Sequence, residues 1–192
     1  MGNPSSTRIL LGTLAVISSL ALGGLAGKLI SLSVKERNEK QWLQHRAELR
    51  RQVLAEMKTM KIGDTLVDYE FDDLDGRTIR LSSLVREKGA IIGIISPDCG
   101  ACQEEVSGLT KLIPNSSLRS RFIFVSAGDV QQLQNLRRVS ELTNPFLVDR
   151  NSAWSSNYRI PNLPFNVIVD HNLVVQEILP MSLAPEDVSE LE

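Results

Sequence analysis

The stretch Ala90-Ile91-Ile92-Gly93-Ile94-Ile95-Ser96-Pro97-Asp98-Cys99-Gly100-Ala101-Cys102 joins a short apolar run to a Cys-x-x-Cys pair. A continuous apolar run of this length is typical of a β-strand buried on both faces of a sheet. After the pair, apolar residues recur at helical spacing up to Pro114, which predicts an α-helix. Its buried face is expected to hold Val106, Leu109, Leu112 and Ile113. The two cysteines therefore lie where a buried strand ends and a helix begins.

A cysteine pair in this position has a definite chemistry. The unpaired N–H groups and the dipole at a helix N-terminus lower the pKa of the first thiol, so that it can attack a disulfide as a thiolate. The second thiol lies one turn further and can close the ring that releases the product. We therefore predict that Cys99 attacks, that Cys102 resolves, and that a redox-active disulfide serves without any further cofactor. The alternative, half of a metal site, would need two more ligands, and His45 and His171 are the only histidines; no metal ligand is predicted.

The residues on either side of this stretch predict an α/β domain. Alternating strand and helix patterns imply a sheet flanked by helices. Strands are predicted at 121–126, 146–148, 165–170 and 174–179, and helices at 129–142 and 185–191. The 129–142 helix is expected to turn Val130, Leu133, Leu136 and Val139 towards the core. Upstream, the runs 66–71 and 78–81 around Asp75-Gly76 predict a β-hairpin, and Ser82 is expected to cap a short helix at 83–86.

The first sixty residues have a different character. Residues 9–27 carry no charge, and with the extension to residue 32 they are long enough to span a bilayer. We predict a tail at 1–8, a transmembrane anchor at 9–32, a helical stalk at 33–60 and a globular domain at 61–192. A cleaved signal peptide is the alternative, with small-x-small sites at 21–23 and 24–26. The stalk stripe of Trp42, Leu49, Val53, Met57 and Met60 suits either a helix packed on the domain or a free stalk.

Composition limits the remaining possibilities. The chain has 192 residues, a formal net charge of −2 and 42% hydrophobic residues, which leaves room for one ordinary domain with an extension. It lacks the basic stripe of a dedicated nucleic-acid binder, so no nucleic-acid partner is expected. The only cysteines are the two in the motif, as suits an oxidising compartment where stray thiols are hazardous.

The domain resembles the thioredoxin superfamily, and in particular its membrane-anchored TlpA-like and ResA-like thiol–disulfide oxidoreductases, which are related to the redoxin domains. The resemblance covers about two thirds of the chain. It rests on Gly63-Asp64 with 71–84 as the opening hairpin, on the Cys99–Cys102 motif after the first core strand, on 158–170 around a family proline, and on 170–175 as the closing hairpin. It implies a thioredoxin-like fold with a central mixed sheet, flanking helices and an N-terminal β-hairpin.

The resemblance also implies roles for single residues. Pro164 matches the family's cis-proline, and the backbone at Leu163 would hold the substrate chain as an added strand. Pro97 and Asp98, which precede Cys99, complete the expected substrate contacts. Glu105, three residues after Cys102, matches a glutamate of the anchored branch that could relay the Cys102 proton. The alternative is an ordinary solvated helix glutamate like Glu104.

Some positions depart from the family pattern. No tryptophan precedes Cys99, Ala101 stands where a proline is common, and Gly93 stands where thioredoxins have a buried aspartate. The Ser-Pro-x-Cys segment is similar to MauD-like maturation proteins. If Asp98 pointed inward, its charge would oppose a lowered pKa of Cys99. These departures leave the redox potential open.

Taken together, the sequence predicts a membrane-anchored thiol–disulfide oxidoreductase acting on protein disulfides, with the reductase direction favoured. Its domain is expected outside the cytoplasm, in a bacterial periplasm or on the outer face. The alternative is a domain that faces the cytoplasm, which the positive-inside rule favours because Lys28, Lys35, Arg37 and Lys40 follow the apolar segment. Expected partners are a disulfide-bearing protein client, in cytochrome c or dedicated client maturation, and a membrane electron donor. The alternatives are a redoxin-type peroxidase, although no threonine precedes Cys99 in the peroxidatic pattern, and a non-catalytic copper chaperone or binding module that would use His171. Trp154 is interpreted as a packed aromatic, with a client contact as the alternative.

Overall fold

A computed structural model describes residues 31–55, 60–113 and 116–191 of the chain. Contacts divide the chain into two compact units, Met1–Leu49 and Arg50–Glu192. The strands all belong to the second unit. They are β1 (Glu70–Asp73), β2 (Thr78–Arg80), β3 (Ala90–Ile94), β4 (Phe122–Ser126), β5 (Phe146–Val148), β6 (Phe165–Val169) and β7 (Val175–Leu179).

The seven strands form one mixed sheet in the order β2-β1-β5-β4-β3-β6-β7. The central strands β3, β4 and β5 run parallel, whereas β6 and β7 on one side and β1 and β2 on the other pair antiparallel. The predicted thioredoxin-like α/β fold with an opening hairpin is confirmed. The hairpin turn closes because the Asp73 carboxylate accepts hydrogen bonds from the N–H groups of Asp75 and Arg77.

Strand β3 lies at the centre and is buried along its whole length. Because side chains alternate across a strand, Ile92 and Ile94 face one apolar layer and Ile91 faces the other. The second layer is covered by the helix that follows the cysteines, through Val106 and Leu109. A continuous apolar run is therefore required at β3, since neither face of this strand meets water.

The helices are α1 (residues 31–55), α2 (Leu81–Leu84), α3 (Gly100–Leu112), α4 (Ser116–Arg119), α5 (Val130–Ser140) and α6 (Pro185–Leu191). The short α4 was not predicted from the sequence. The expected capping role of Ser82 is wrong, because Ser82 lies inside α2 and its N–H and hydroxyl both donate to Asp68. In α5, Leu133 and Leu136 are buried as expected, but Val130 and Val139 are 38% and 60% exposed. Pro114, the expected stop of α3, lies outside the described residues.

The predicted anchor at 9–32 lies outside the described residues except for its last two positions. Within the described ranges, no helix is long and apolar enough to cross a membrane. The end of α1 belongs to the globular unit: Val53 and Leu54 pack against the first apolar layer, which also contains Met60. Arg50 donates to Glu177 and to the Ile178 carbonyl of β7 at 2.5 and 3.1 Å.

A fully buried carboxylate holds the segment after β5 in place through hydrogen bonds. Asp149 accepts hydrogen bonds from the N–H groups of Trp154 and Ser155. Trp154 is itself fully buried, and its indole N–H donates to the Val67 carbonyl at 3.0 Å. The interpretation of Trp154 as a packed aromatic is therefore correct, and its ring is not available to a client.

Candidate active site

Cys99 and Cys102 are joined as a disulfide at the junction of β3 and α3, with their Cα atoms 5.2 Å apart. Cys99 is partly exposed, whereas Cys102 is completely buried in the layer between the sheet and α3. Cys99 therefore contacts solvent and Cys102 does not. This asymmetry favours a first cysteine that attacks and a second that resolves, and the two roles stay a prediction.

The N-terminus of α3 is built around the Cys99 sulfur. Cys99 is the N-cap residue, and its Sγ accepts the N–H of Cys102 at 3.2 Å. The loop before it is held by Gln103, whose side-chain amide donates to the Pro97 carbonyl at 2.5 Å. A thiolate at Cys99 would be stabilised by this N–H and by the helix dipole. The position therefore favours a reactive first thiol.

The Leu163–Pro164 peptide bond is cis, and it faces the disulfide. The Cys99 sulfur lies 3.6 Å from the Leu163 carbonyl oxygen. Pro164 is buried, and Leu163 is 39% exposed beside the motif. The structure therefore brings together the cysteine pair and the proline that the sequence placed 62 positions after Cys102.

Pro97 and Asp98 lie on the rim of this site in different environments. Pro97 is buried and packs against Gly128, where an added Cβ would come within 2.3 Å of the proline ring. Asp98, by contrast, is exposed to solvent. A groove of about 490 Å³ begins at Asp98 and Leu163 and extends to Ser152 and Arg159.

Glu105 is the most unusual side chain of the site. It is only 7% exposed, unlike the neighbouring Glu104. One carboxylate oxygen accepts the amide N–H of Asn166 at 3.1 Å, and the other accepts the backbone N–H of Leu183 at 2.7 Å. The interpretation as a solvated glutamate is therefore wrong, and a buried carboxylate lies one helical turn from Cys102.

The sequence reasoning missed the residues that hold this carboxylate. Asn166 is fully buried in β6 and pairs with Gly93 of β3 across the sheet. The sequence does mark Asn166, because it is the only polar residue in the otherwise apolar run Phe165–Val169. Leu183 contributes only its backbone, so its side-chain type carries no signal.

Among the described ranges, no group of three or more His, Cys, Asp or Glu side chains could hold a metal ion. His171 lies exposed in the turn between β6 and β7, and its ring faces the Asn172 amide at 2.9 Å.

Comparison with known proteins finds a matching family model, similar proteins and similar solved structures. A family model described as the AhpC/TSA family matches residues 62–178. Thiol-disulfide oxidoreductase ResA of Geobacillus thermodenitrificans is 26% identical over 140 residues, covering 71% of this chain and 79% of that protein. Among solved structures, a secreted Mycobacterium tuberculosis disulfide oxidoreductase homologous to E. coli DsbE is 18% identical with a TM-score of 0.53, covering 65% of this chain and 93% of the other. Peroxidoxin BcpB of Mycobacterium tuberculosis is 17% identical with a TM-score of 0.56, covering 68% and 92%.

Proposed function

The chain belongs to the AhpC/TSA family of the thioredoxin superfamily, and from that premise we infer that it is a thiol–disulfide oxidoreductase. We propose further that Cys99 attacks a disulfide of a protein client and that Cys102 resolves the mixed disulfide. The observation that carries this proposal is the asymmetric pair, with a partly exposed Cys99 and a fully buried Cys102 at the start of α3.

The proposed reaction transfers two electrons to the client. The Cys99 thiolate attacks one sulfur of the client disulfide, and the other client sulfur leaves as a thiolate that takes a proton. Cys102 loses its proton to the buried Glu105 carboxylate and attacks the Cys99 sulfur. The bond between Cys99 and the client breaks, and the proton held by Glu105 returns through solvent to the leaving client thiolate. The enzyme ends as the disulfide and the client as a dithiol.

We propose that the client chain lies along the backbone at Leu163 and Pro164. Leu163 presents an exposed side chain and a carbonyl 3.6 Å from the Cys99 sulfur, which supports a chain placed beside it as an added strand. Pro97 and Asp98 border the same site. Tethering by residues 9–32, an extracytoplasmic location and a membrane electron donor belong to this proposal, and so does a role in cytochrome c or dedicated client maturation. The uncharged 9–27 segment and the absence of cysteines outside the motif support it.

A trapping experiment tests the proposal. Replacing Cys102 by serine removes the resolving thiol, so we expect Cys102→Ser to accumulate a mixed disulfide with a disulfide-bearing protein, seen as a reducible adduct on a non-reducing gel. Cys99→Ser is the matched control and should form none, because the remaining thiol is buried. Adducts formed equally well by both variants would contradict the assigned order.

A redox titration of the same pair tests the direction. We expect a potential near or below about −250 mV in a dithiothreitol or glutathione series, as for thioredoxin-like reductants. A value near about −120 to −180 mV would instead mean an oxidase or isomerase. A pair that forms no disulfide at any poise would overturn the oxidoreductase function.

A redoxin-type peroxidase is the second candidate, and the family match favours it. In that reaction the Cys99 thiolate would attack a peroxide oxygen to give a sulfenic acid and water or an alcohol. Cys102 would then condense with the sulfenic acid and release water. Consumption of hydrogen peroxide by the reduced chain, abolished in Cys99→Ser, would establish it; turnover no faster than that of Cys99→Ser would exclude it.

A further inference from the structure

The buried contact between Asn166 of β6 and Glu105 of α3 bears on how Glu105 takes up and releases a proton. The Asn166 side chain is completely buried, and its amide nitrogen donates to Oε1 of Glu105 at 3.1 Å. The Leu183 N–H donates to Oε2 at 2.7 Å. An ionised carboxylate can only accept hydrogen bonds, so two N–H donors suit its charged form. This is the form that can take the Cys102 proton.

The other end of the Asn166 amide has no such partner. Its Oδ1 is buried and accepts a hydrogen bond from no described residue. An orphaned buried acceptor is costly, and in native proteins it calls for an explanation such as a catalytic role. A half-turn of the amide about its terminal torsion exchanges Oδ1 and Nδ2 and would place the acceptor opposite Glu105. That acceptor is satisfied only when Glu105 carries a proton.

From these observations we propose that Asn166 is a positioning residue for proton transfer at Glu105. Its amide donates to the ionised carboxylate and, after turning, accepts from the protonated one. Both states of Glu105 then keep a hydrogen bond to this buried amide. This inference rests on the proposed function, in which Glu105 takes the proton of Cys102.

The sheet leaves room for this amide because residue 93 is a glycine. Gly93 is the register partner of Asn166, and a Cβ added there would lie 3.1 Å from Asn166 Oδ1. It would also lie 3.1 Å from the Phe124 ring. The amide and the ring thus occupy the space that a side chain at residue 93 would take. A side chain at residue 93 would restrict the turning of the amide.

The elements packed against this pair differ in the titratable groups that they contribute. Strands β3 and β6 contribute no titratable side chain, and α3 contributes Cys102 on the same face. From α6, the buried Asp187 binds the Ala184 N–H at 2.8 Å, next to the amide that holds Glu105. Asp187 in turn lies 3.7 Å from Arg50, which also pairs with Glu177. Of these groups, Asp187 carries a charge that can also affect proton transfer at Glu105. Its effect must be distinguished from that of Asn166.

The test separates the two thiol steps in the full-length reduced chain. Substoichiometric dithionitrobenzoate, an aromatic disulfide, releases one coloured thiolate when Cys99 attacks and a second when Cys102 resolves. We expect Asn166→Leu to leave the first phase within about twofold of wild type and to slow the second at least about tenfold, as for loss of assisted proton transfer. The pH midpoint of the second phase should rise by about one unit or more, because the ionised carboxylate loses a donor.

Three variants guard against a merely structural effect. Asn144→Leu removes another buried asparagine, which donates to the Arg119 and Phe122 carbonyls away from Glu105, and should leave the second-phase midpoint unchanged. Asn166→Asp keeps the shape of the side chain. Because it places a second carboxyl group opposite Glu105, it should also raise the pH midpoint of the second phase. The double variant Glu105→Gln with Asn166→Leu should react no slower in the second phase than Glu105→Gln alone, since Asn166 acts through Glu105.

A spectroscopic reading completes the test. The side-chain amide ¹H–¹⁵N signals of Asn166 should shift at the same pH midpoint as the second phase and lose that transition in Glu105→Gln. Signals that stay constant across this range, or a second phase with the wild-type midpoint in both Asn166 variants, would overturn the inference. If wild type itself releases no second thiolate, the proposed function fails instead, so the two failures are distinguishable.

Discussion

Gly93 is a residue whose missing side chain has a structural reason. It lies in the buried centre of β3, where an added Cβ would meet Asn166 and Phe124 at 3.1 Å. We expect Gly93→Ala to lower the free energy of unfolding by about 1–2 kcal/mol, because the well-packed ring and amide must move aside. Equilibrium urea unfolding of the disulfide form measures this.

Gly108 provides the matched control for that substitution. It lies inside α3, and an added Cβ there would meet nothing within 4 Å. Alanine has the higher helix propensity, so Gly108→Ala should raise the free energy of unfolding by up to about 1 kcal/mol. Equal destabilisation by the two substitutions would contradict the assignment of the Gly93 effect to crowding.

Tyr158 should make stability depend on alkaline pH. Burial raises the pKa of its hydroxyl above the ordinary 10.0, and the Val67 N–H that donates to its oxygen opposes this shift. A folded-state pKa above the unfolded one means that the neutral phenol is favoured by folding. Its contribution is complete below about pH 10 and is lost as the pH rises through the higher folded-state pKa.

Unfolding measured over the alkaline range tests this prediction. The free energy of unfolding of wild type should fall more steeply with pH than that of Tyr158→Phe. Tyr69→Phe, which replaces the other tyrosine, should retain the slope that Tyr158 contributes. Parallel curves for wild type and Tyr158→Phe would show that Tyr158 is not the group responsible.

Residues of the site differ in how far they could be predicted from the sequence. Cys99 and Cys102 could be predicted as site residues, because their chemistry depends on their spacing of three residues and on the strand before them. The burial of Glu105 is not readable from α3 alone, because it depends on Asn166 and on a backbone N–H at Leu183. Contacts between positions this far apart in the chain leave little trace in local periodicity.

Among the elements, the last residues of α1, which belong to the second unit, contact the sheet through Arg50. That side chain is 27% exposed, binds Glu177 and Ile178 of β7, and lies 3.7 Å from the buried Asp187. Removing the cation takes a positive neighbour from Asp187 and a hydrogen-bond donor from Glu177 and from the Ile178 carbonyl. We expect Arg50→Ala to lower the free energy of unfolding by about 1–3 kcal/mol.

An exposed ion pair on the same helix is the control for Arg50. Lys40 and Glu36 are 2.9 Å apart, with side chains 70% and 68% exposed. Because solvent screens such a pair, Lys40→Ala should change the free energy of unfolding by no more than about 0.5 kcal/mol. If Arg50→Ala were as mild as Lys40→Ala, the contact with β7 and α6 would contribute no stability.

The elements themselves were mostly predictable, and the errors have physical causes. The core strands β3 to β7 were found to within a residue or so, because β3 to β6 are largely apolar runs and β7 follows β6 directly across the turn at His171-Asn172. Val130 and Val139 were misplaced because valine at helical spacing marks a buried face only where another element covers it, and both valines are exposed near the two ends of α5. The Asp68 contact that holds Ser82 crosses from a neighbouring segment and is invisible in the local capping pattern.

At the scale of the whole molecule, one sheet brings distant segments to one point. The end of β3, the start of α3 and the cis Leu163–Pro164 bond meet because β3 and β6 are adjacent in the sheet and antiparallel. The register that pairs Ile94 with Phe165 places Cys99 beside Leu163. Sequence analysis could predict the order of the strands along the chain and the resemblance could predict the fold, but this register depends on packing across the sheet.

The complete burial of Cys102 bears on how long a mixed disulfide with a client lasts. A mixed disulfide on Cys99 can be cleared either by an outside thiol or by Cys102, and only the second route is shielded from solvent. In the proposed reaction, the lifetime of the client adduct is set inside the molecule wherever attack by Cys102 is faster than attack by an outside thiol. Under that condition the rate of client release is independent of the concentration of thiols in the medium.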